Sequence, residues 1–293
     1  MREIKLRALA KINLGLDVVG KREDGYHQVR MVMQTVRLYD QVKLSMKERS
    51  GITVKTNLFY LPVNEDNLVY KAAKLLMDEF GIHQGVMIDL KKFIPVAAGL
   101  AGGSSDAAAV LVGMNRLFQL GLSKGDLMKR GVSIGADVPY CIMRGTALAE
   151  GIGEELTPLP AMPKCRILIA KPAVHVSTKF VYTNLRADEL ADHPDIDGQI
   201  EALRKGDLHR LADKMGNVLE TVTVPAYPVI GEIKRVMIAG GAIGAMMSGS
   251  GPTVFGLFED ERKAKHTYEK LRGGNLAKQV YLTSVFNNGG SNR

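Results

Sequence analysis

The spacing of hydrophobic residues changes its period along the chain, so it predicts both strands and helices. Residues 4–19 and 28–46 alternate apolar and polar positions, which predicts two strands joined by a turn at residues 22–25. Between Asn67 and Phe80 the apolar residues recur every three or four positions. This period predicts a helix, and Gly81 is a residue type that commonly ends one.

The rest of the chain continues this mixture of periods. Residues 86–90 alternate and predict a strand, and the Ala- and Leu-rich run 107–118 predicts a helix with a Ser or Asp at its start. Residues 123–126 resemble a capping box, and the three prolines within 157–163 mark the best domain boundary. The elements predicted beyond that boundary are strands at 166–170, 243–247, 253–258 and 279–286 and helices at 208–220, 228–239 and 261–272. Because strands and helices do not alternate regularly, the pattern favours an α+β fold over a doubly wound sheet.

The composition narrows the classes of partner. A chain of 293 residues can bury a full core and is long enough for one or two domains. A net charge of +8 and a pI near 9.3 favour an anionic small molecule, whereas the absence of basic runs argues against nucleic acid. We expect no membrane partner, because no signal-peptide pattern or long apolar span is present. Cys141 and Cys165 lack metal-ligand or disulfide spacing, which favours the reducing cytoplasm.

The segment from Pro95 to Asp106 is the most informative part of the chain. It is rich in Gly, Ala and Ser, and it lies between a predicted strand and a predicted helix. A helix that begins behind such a loop presents unpartnered N–H groups and the positive end of its dipole, which together bind phosphate. The three glycines let the backbone approach an anion, and the paired serines add hydroxyl donors or a magnesium ligand.

This glycine-rich loop has a simpler alternative, a tight turn with a helix cap. The loop is not a Walker A motif, because no Gly-Lys-Ser/Thr follows the glycines, and it lacks the Gly-x-Gly-x-x-Gly dinucleotide fingerprint. The length and specificity of the whole segment nevertheless favour a phosphate loop of another type.

Three further segments contain polar or charged residues, or glycines, that could belong to a functional site. Lys11 and Asn13 lie two residues apart on a predicted strand and share one side of it, although such pairs often mark only a solvated face. Asp137 stands among small and apolar residues, where an ionised carboxylate without a partner would be costly. Residues 247–253 form a second glycine-rich loop, which taken alone is more often a hairpin turn than a ligand site.

Together these segments resemble the GHMP kinases, whose nucleotide loop reads Pro-x-x-x-Gly-Leu-x-x-Ser-Ser or a close variant. The chain keeps Pro95, Gly99, Leu100 and the paired serines, with one further small residue before the serines. The resemblance implies an α+β, two-domain GHMP kinase fold with the active site in the cleft between the domains. It further implies an N-terminal ATP-binding domain at 1–156, a C-terminal domain at 157–286 and a disordered tail at 287–293.

The order of the motifs is similar to that of one branch of these kinases. This branch phosphorylates a cytidine diphosphate derivative of methylerythritol in non-mevalonate isoprenoid biosynthesis. The similarity covers about residues 8–258, and the segment Asp24–His27 distinguishes it from mevalonate, homoserine and galactose kinases. The departures are small: Leu9 stands where proline is usual, Ala136 where serine is common, and Asp106 where asparagine also occurs. None of them removes a group that the chemistry needs.

The resemblance implies ATP-dependent phosphorylation of the tertiary 2-hydroxyl of the methylerythritol unit. Asp137 is then the base, and Lys11 holds it ionised and offsets the developing charge; a purely structural ion pair is the alternative. Magnesium would bridge the ATP phosphates, with Ser105 as the candidate protein ligand. The implied ATP-binding residues are Pro95, Val96, Ala97, Ala98, Gly99, Leu100, Ala101, Gly102, Gly103, Ser104 and Ser105.

The resemblance also implies a cytidine site in which two aromatic rings sandwich the base and a histidine contacts its edge. Tyr26 and His27 fill the first position; Tyr182 is the choice for the second, with Phe180 as the fallback. Tyr182 could instead only pack its helix against the second domain. The implied substrate-binding residues are Asn13, Tyr26, His27, Thr178 and Tyr182. A GHMP kinase with another alcohol substrate and a non-catalytic nucleotide-binding protein stay open as alternatives, and the chain is expected to be a monomer or a homodimer.

Overall fold

The computed structural model describes residues 2–21 and 27–289, and its architecture is α+β, as predicted. No helix in the described ranges is long and apolar enough to cross a membrane. The strands are β1 (Glu3–Lys21), β2 (His27–Lys47), β3 (Ile52–Thr56), β4 (Gly85–Lys91), β5 (Thr146–Glu150), β6 (Glu155–Pro158), β7 (Arg166–Lys171), β8 (Gly216–Asn217), β9 (Gly244–Met247), β10 (Val254–Phe258) and β11 (Gln279–Ser284). The α-helices are α1 (Leu68–Glu79), α2 (Gly102–Leu117), α3 (Lys124–Gly131), α4 (Val138–Met143), α5 (Thr178–Asn184), α6 (Ile196–Lys205), α7 (Leu208–Asp213), α8 (Glu220–Ala226), α9 (Val229–Ala239) and α10 (Glu261–Gly273).

The chain forms two compact units that are not consecutive in sequence. The first unit consists of the residues up to Ala10 together with Leu38–Val96 and Ala101–Met143. The second consists of Lys11–Arg37, Ala97–Leu100 and the chain from Arg144 onward. The division at residue 157 that the proline-rich segment suggested stays a prediction.

The first unit is a sheet covered by helices. Strand β4 pairs in parallel with β3 and antiparallel with β2. The predicted apolar face of β4 is buried, and α2 packs closely on the sheet because a Cβ at Gly113 would lie within 3 Å of the Leu44 and Leu6 side chains. Helix α1 begins after Asn67, whose side chain accepts from the N–H of Val69, as the predicted helix requires.

The starts of two helices can be compared with those predicted from the sequence. Helix α3 confirms the capping box: Ser123 accepts from the N–H of Asp126, whose carboxylate accepts from the N–H of Ser123. Helix α2 does not start at residue 107 behind a Ser or Asp; it starts at Gly102, behind Ala101 in a left-handed conformation. No side-chain hydrogen bond caps α2, so its start is not set by a local capping residue.

The second unit contains an antiparallel sheet in the order β11-β7-β10-β9, which confirms the strands predicted beyond the proline-rich segment. In the same unit β5 pairs antiparallel with β2 and with β6. The predicted helix at 208–220 is wrong: it is divided into α7, the two-residue strand β8 and the start of α8. The division arises because Gly216 and Asn217 pair in parallel with Gly15 and Leu16 of β1, a contact that local periodicity does not contain.

The turn predicted at residues 22–25 lies outside the described residues, as do residues 290–293 of the predicted disordered tail. Within that tail, Asn287 donates through Nδ2 to the carbonyl of Met162 at 2.9 Å. Asn288 donates to the carbonyl of Arg144 at 2.8 Å, so both side chains are tied to the second unit.

Candidate functional site

The loop before α2 has a backbone suited to anions. Ala97, Gly99 and Ala101 adopt positive φ values of 50°, 73° and 54°. Alternating left-handed residues turn successive N–H groups toward one side and form concavities that bind anions. The chain then enters α2, where the first N–H groups have no acceptor within the helix. The structure therefore retains the features that favoured a phosphate loop over a simple cap.

The three glycines and two serines of this loop have different surroundings. A Cβ at Gly102 would lie 3.2 Å from the Nζ of Lys92, whereas Gly103 is exposed and its Cβ would meet only the Leu68 side chain, at 3.4 Å. Ser105 is buried and donates its hydroxyl proton to the carbonyl of Leu9 at 2.7 Å. Ser104 is half-buried, so it is the more accessible hydroxyl of the pair. The magnesium role of Ser105 stays a prediction.

The second glycine-rich loop, residues 247–253, contacts Gly99 of the first. A Cβ at Gly99 would lie 2.0 Å from the carbonyl oxygen of Ser248, and the Ser248 hydroxyl donates to the carbonyl of Gly99 at 2.9 Å. Gly249 follows with φ +57°, and its Cβ would lie 3.5 Å from the Nζ of Lys11. The backbone N–H of Lys11 donates to the carbonyl of Leu100 at 3.2 Å. The second unit thus brings Lys11, residues 97–100 and the second loop together.

Lys11 and Asn13 do not lie on a solvated face. Both are buried, and the Nζ of Lys11 donates to the Oδ1 of Asn13 at 2.6 Å. The Nδ2 of Asn13 contacts the sulfur of Met31 at 3.3 Å. A buried ammonium needs polar partners, and Asn13 supplies one beside the glycine-rich loops.

Sequence reasoning missed Asn217, which holds the second loop in place. Its Nδ2 donates to the carbonyls of Met247 and Gly249 at 3.0 and 2.8 Å, and its Oδ1 accepts from the N–H of Leu219 at 3.0 Å. Glu220 accepts from the N–H of Met247 at 2.7 Å. The only local signal was an Asn and a Gly inside a predicted helix, because every partner in the loop is about 30 residues away in sequence.

Asp137 lies in the first unit, immediately before α4, and is half-buried. A Cβ at the neighbouring Gly135 would lie 3.8 Å from the hydroxyl of Ser104, so the segment that carries Asp137 runs beside the start of α2. Lys11 belongs to the other unit, and its pairing with Asp137 stays a prediction.

The residues predicted to bind cytidine that the structure describes lie in the second unit. The rings of His27 and Tyr182 are 5.1 Å apart between centroids and inclined by 42°. On the same helix, α5, the hydroxyl of Thr178 forms a hydrogen bond of 2.8 Å with that of Ser250 in the second loop. Phe180 is 40% exposed. Tyr26 lies outside the described residues, and the cytidine role of the others stays a prediction.

Comparisons with known proteins agree with this arrangement. Residues 67–145 match the GHMP kinases N terminal domain, and residues 199–275 match the GHMP kinases C terminal domain. The chain is 60% identical over 286 residues to a 4-diphosphocytidyl-2-C-methyl-D-erythritol kinase of Lachnospira eligens, which covers 98% of this chain and 99% of the relative. A crystal structure of a 4-(cytidine 5'-diphospho)-2C-methyl-D-erythritol kinase superposes with a TM-score of 0.83 at 33% identity, over 96% of this chain and 99% of the other. The homoserine kinase of Cytophaga hutchinsonii shares the fold, with a TM-score of 0.79 at 22% identity over 97% and 95% of the two chains.

The fold, the phosphate-type loop and both domain matches define a small-molecule kinase of the GHMP class. Within that class, the chain belongs to the family of 4-diphosphocytidyl-2-C-methyl-D-erythritol kinases, because relatives of that name match nearly its whole length. The motif-based resemblance is therefore confirmed.

The close approach of the two loops can be tested at Gly99. We expect Gly99→Ala to lower the free energy of unfolding by roughly 1–2 kcal/mol through backbone strain alone, and further through collision with Ser248. Urea unfolding measures the change. Gly103→Ala is the matched control, because its added methyl meets only the Leu68 side chain and should leave stability within about 0.5 kcal/mol of wild type. Equal stability of the two variants would contradict the contact.

Proposed function

We propose that the protein transfers the γ-phosphoryl group of ATP to the tertiary 2-hydroxyl of 4-diphosphocytidyl-2-C-methyl-D-erythritol, giving the 2-phosphate and ADP. This reaction belongs to the non-mevalonate pathway of isoprenoid precursor biosynthesis. The observation that carries the proposal is the 60% identity, over nearly the whole of both chains, to a kinase named for that substrate. The geometry of both glycine-rich loops is consistent with it.

The ATP phosphates bind along residues 95–105 in this proposal. The left-handed residues 97, 99 and 101 and the open start of α2 supply N–H donors, and the exposed Gly103 leaves room for a phosphate to approach. A tertiary alcohol is a crowded nucleophile, so catalysis rests mainly on orienting the two substrates and on offsetting charge.

Magnesium would offset the charge of the ATP phosphates, and the hydroxyl oxygens near the loop are donors of the kind that such an ion takes. Ser104 offers a half-exposed hydroxyl, and Ser105 a buried one that already donates to a backbone carbonyl. Among the described residues no group of three or more His, Cys, Asp or Glu side chains could hold a metal. Mg²⁺ commonly takes most of its ligands from substrate phosphates and water, so one or two protein oxygens suffice.

Asp137 accepts the proton of the 2-hydroxyl as the phosphoryl group arrives. Lys11 offsets the charge that develops between the hydroxyl and the γ-phosphate. The hydrogen bond from Lys11 to Asn13 and the neighbouring Gly249 restrict where the ammonium can lie, which supports a positioned rather than a mobile cation. The cytidine base stacks between Tyr26 and Tyr182, while His27 contacts its edge.

The proposal also covers the location of the protein, its oligomeric state and its domains. The protein acts in the cytoplasm, as a monomer or homodimer; the buried thiols of Cys141 and Cys165 support the reducing location. Burial raises the pKa of Cys165 to about 12, which keeps that thiol protonated and inert. The division into domains at 1–156 and 157–286 remains part of the proposal.

The proposed reaction is tested by ADP release coupled to NADH oxidation, with three alcohols compared at equal concentration. We expect turnover with the cytidine diphosphate substrate and none above background with mevalonate or homoserine. Turnover of another alcohol at a higher kcat/KM would contradict the substrate assignment. ATP binding without ADP production from any substrate would favour a non-catalytic nucleotide-binding protein.

The base assignment predicts a specific loss in Asp137→Asn. The amide keeps the shape of the side chain but does not accept the proton, so kcat should fall by about 10²–10⁴-fold while ATP affinity stays near wild type. Single-turnover kinetics and calorimetric ATP titration measure the two quantities. Asp78→Asn, at an exposed ion pair on α1, is the control and should retain wild-type kcat. A kcat close to wild type in Asp137→Asn would rule out the base role.

The phosphate loop predicts weaker ATP binding in Gly103→Val. A β-branched side chain at this exposed position occupies the space in front of the first turn of α2 and restricts its backbone. The ATP dissociation constant should rise by about tenfold or more, while Gly103→Ala changes it less. Gly102→Val is less informative, because its side chain would also collide with Lys92 and Ile94. Unchanged affinity in folded Gly103→Val would place the triphosphate elsewhere.

If Tyr182 stacks on cytidine, its removal should change KM for the cytidine substrate but not KM for ATP. Tyr182→Ala removes a stacking face worth roughly 1–3 kcal/mol, so KM for the cytidine substrate should rise about 5- to 150-fold while KM for ATP is unchanged. His27→Ala should in addition narrow the preference for cytidine over the uridine analogue. Phe180→Ala, two residues earlier on α5, tests the fallback and should leave both KM values near wild type. If Tyr182→Ala changes the melting temperature but neither KM, the ring only packs its helix.

A further inference from the structure

Three charged side chains are buried together in the first unit, and the proposed reaction uses none of them. Lys92, Asp40 and Asp106 are 7%, 0% and 2% exposed. The Nζ of Lys92 contacts the Oδ2 of Asp40 and lies 2.6 Å from the Oδ2 of Asp106. We refer to these residues as the Lys92 cluster.

Burying the three charges of the Lys92 cluster costs free energy of folding. Removing charges from water costs several kcal/mol per ion, and buried ion pairs often add no net stability. Burial alone would lower the pKa of Lys92, but the charges of Asp106 and Asp40 outweigh it and raise that pKa. The Oδ1 of Asp106 has no hydrogen-bond partner within the described part of the chain. The cluster therefore needs a role other than simple stabilisation.

On one side, the cluster fixes the chain that enters the nucleotide loop. The Oδ1 of Asp40 accepts from the N–H groups of Phe93 and Ile94 at 2.5 and 2.8 Å. The side chain of Asn57 brackets the backbone of Lys92, accepting from its N–H at 2.8 Å and donating to its carbonyl at 3.1 Å. Pro95, the first residue of the loop, follows directly.

On the other side, the cluster fixes the chain that leaves the loop. Asp106 lies in the second turn of α2 and binds Lys92 through its carboxylate. A Cβ at Gly102, the first residue of α2, would lie only 3.2 Å from the Nζ of Lys92. One ammonium group therefore joins the end of the incoming segment to the start of the outgoing helix, with residues 95–101 spanning the gap.

We propose that Lys92, held by Asp40 and Asp106, is a positioning residue that fixes both ends of the nucleotide loop and thereby sets ATP affinity. The part that concerns ATP rests on the proposed function; the ordering of the loop does not. Lys92 acts through the backbone: without its ammonium, the incoming segment loses its side-chain link to Asp106 of α2, and the N–H groups of the loop between them lose their fixed directions.

The test uses Lys92→Met in two backgrounds. Methionine keeps most of the side-chain volume but removes the ammonium, which leaves two carboxylates facing each other. The double variant Lys92→Met/Asp106→Asn removes that repulsion, and Asp40 keeps its two backbone donors, so this variant is the one expected to fold. Lys91→Met is the matched control, because Lys91 is the adjacent residue and is exposed.

Two measurements separate positioning from a purely structural role. Hydrogen exchange without nucleotide should show faster exchange at residues 96–104 in the double variant than in wild type, and no change in α10. Calorimetric titration should show an ATP dissociation constant raised by about tenfold or more, with KM for the cytidine substrate unchanged. Lys91→Met should match wild type in both.

Wild-type exchange at 96–104 in the folded double variant would overturn the proposal, whatever the melting temperature. An equal loss of affinity for both substrates, or faster exchange throughout the chain, would also overturn it, because either indicates general destabilisation. If exchange is faster only in the loop of the double variant and the wild-type protein binds no ATP, the positioning role is upheld and the proposed function is contradicted instead.

Discussion

The arrangement of the second unit depends on one close backbone approach, that of Gly99 to Ser248. No side chain other than hydrogen fits at residue 99, because a Cβ there would collide with a backbone carbonyl, and φ is +73°. This approach brings the two glycine-rich loops into contact and lets the Ser248 hydroxyl bind the Gly99 carbonyl. It also places Gly249 next to Lys11. The candidate catalytic lysine is thus positioned by packing between backbones.

The close contact of the two loops is stable only if the buried polar side chains next to it have hydrogen-bond partners. Asn217 uses both amide hydrogens on the second loop and its oxygen on the start of α8, so its buried side chain has complementary partners. Lys11 likewise shares a short hydrogen bond with Asn13 on the same strand. Because each partner is fixed by strand pairing or by packing, the loops are organised before any ligand binds.

The sequence predicted what local chemistry determines. The strands β1 and β2, the helix between Asn67 and Phe80 and the Ser123 capping box follow patterns within a few residues, and the structure confirms them. The start of α2 and the division of the predicted helix at 208–220 depend instead on contacts far along the chain. The motifs identified the kinase class for the same reason. Asn217 left only a weak local signal and the Lys92 cluster left none, because their partners are distant in sequence.

The glycines of the first glycine-rich loop, residues 95–106, are small for different reasons. A Cβ at Gly99 would collide with the backbone of Ser248, whereas one at Gly102 would lie 3.1 and 3.2 Å from the Ile94 side chain and the Lys92 ammonium, which would have to shift slightly. Gly103 has an exposed position and an open neighbourhood, so the fold around it would accept a methyl group. Its small size is therefore the feature of the loop that packing explains least. A ligand that approaches the first turn of α2 explains it directly, since a phosphate needs close contact with backbone N–H groups that a larger side chain would cover.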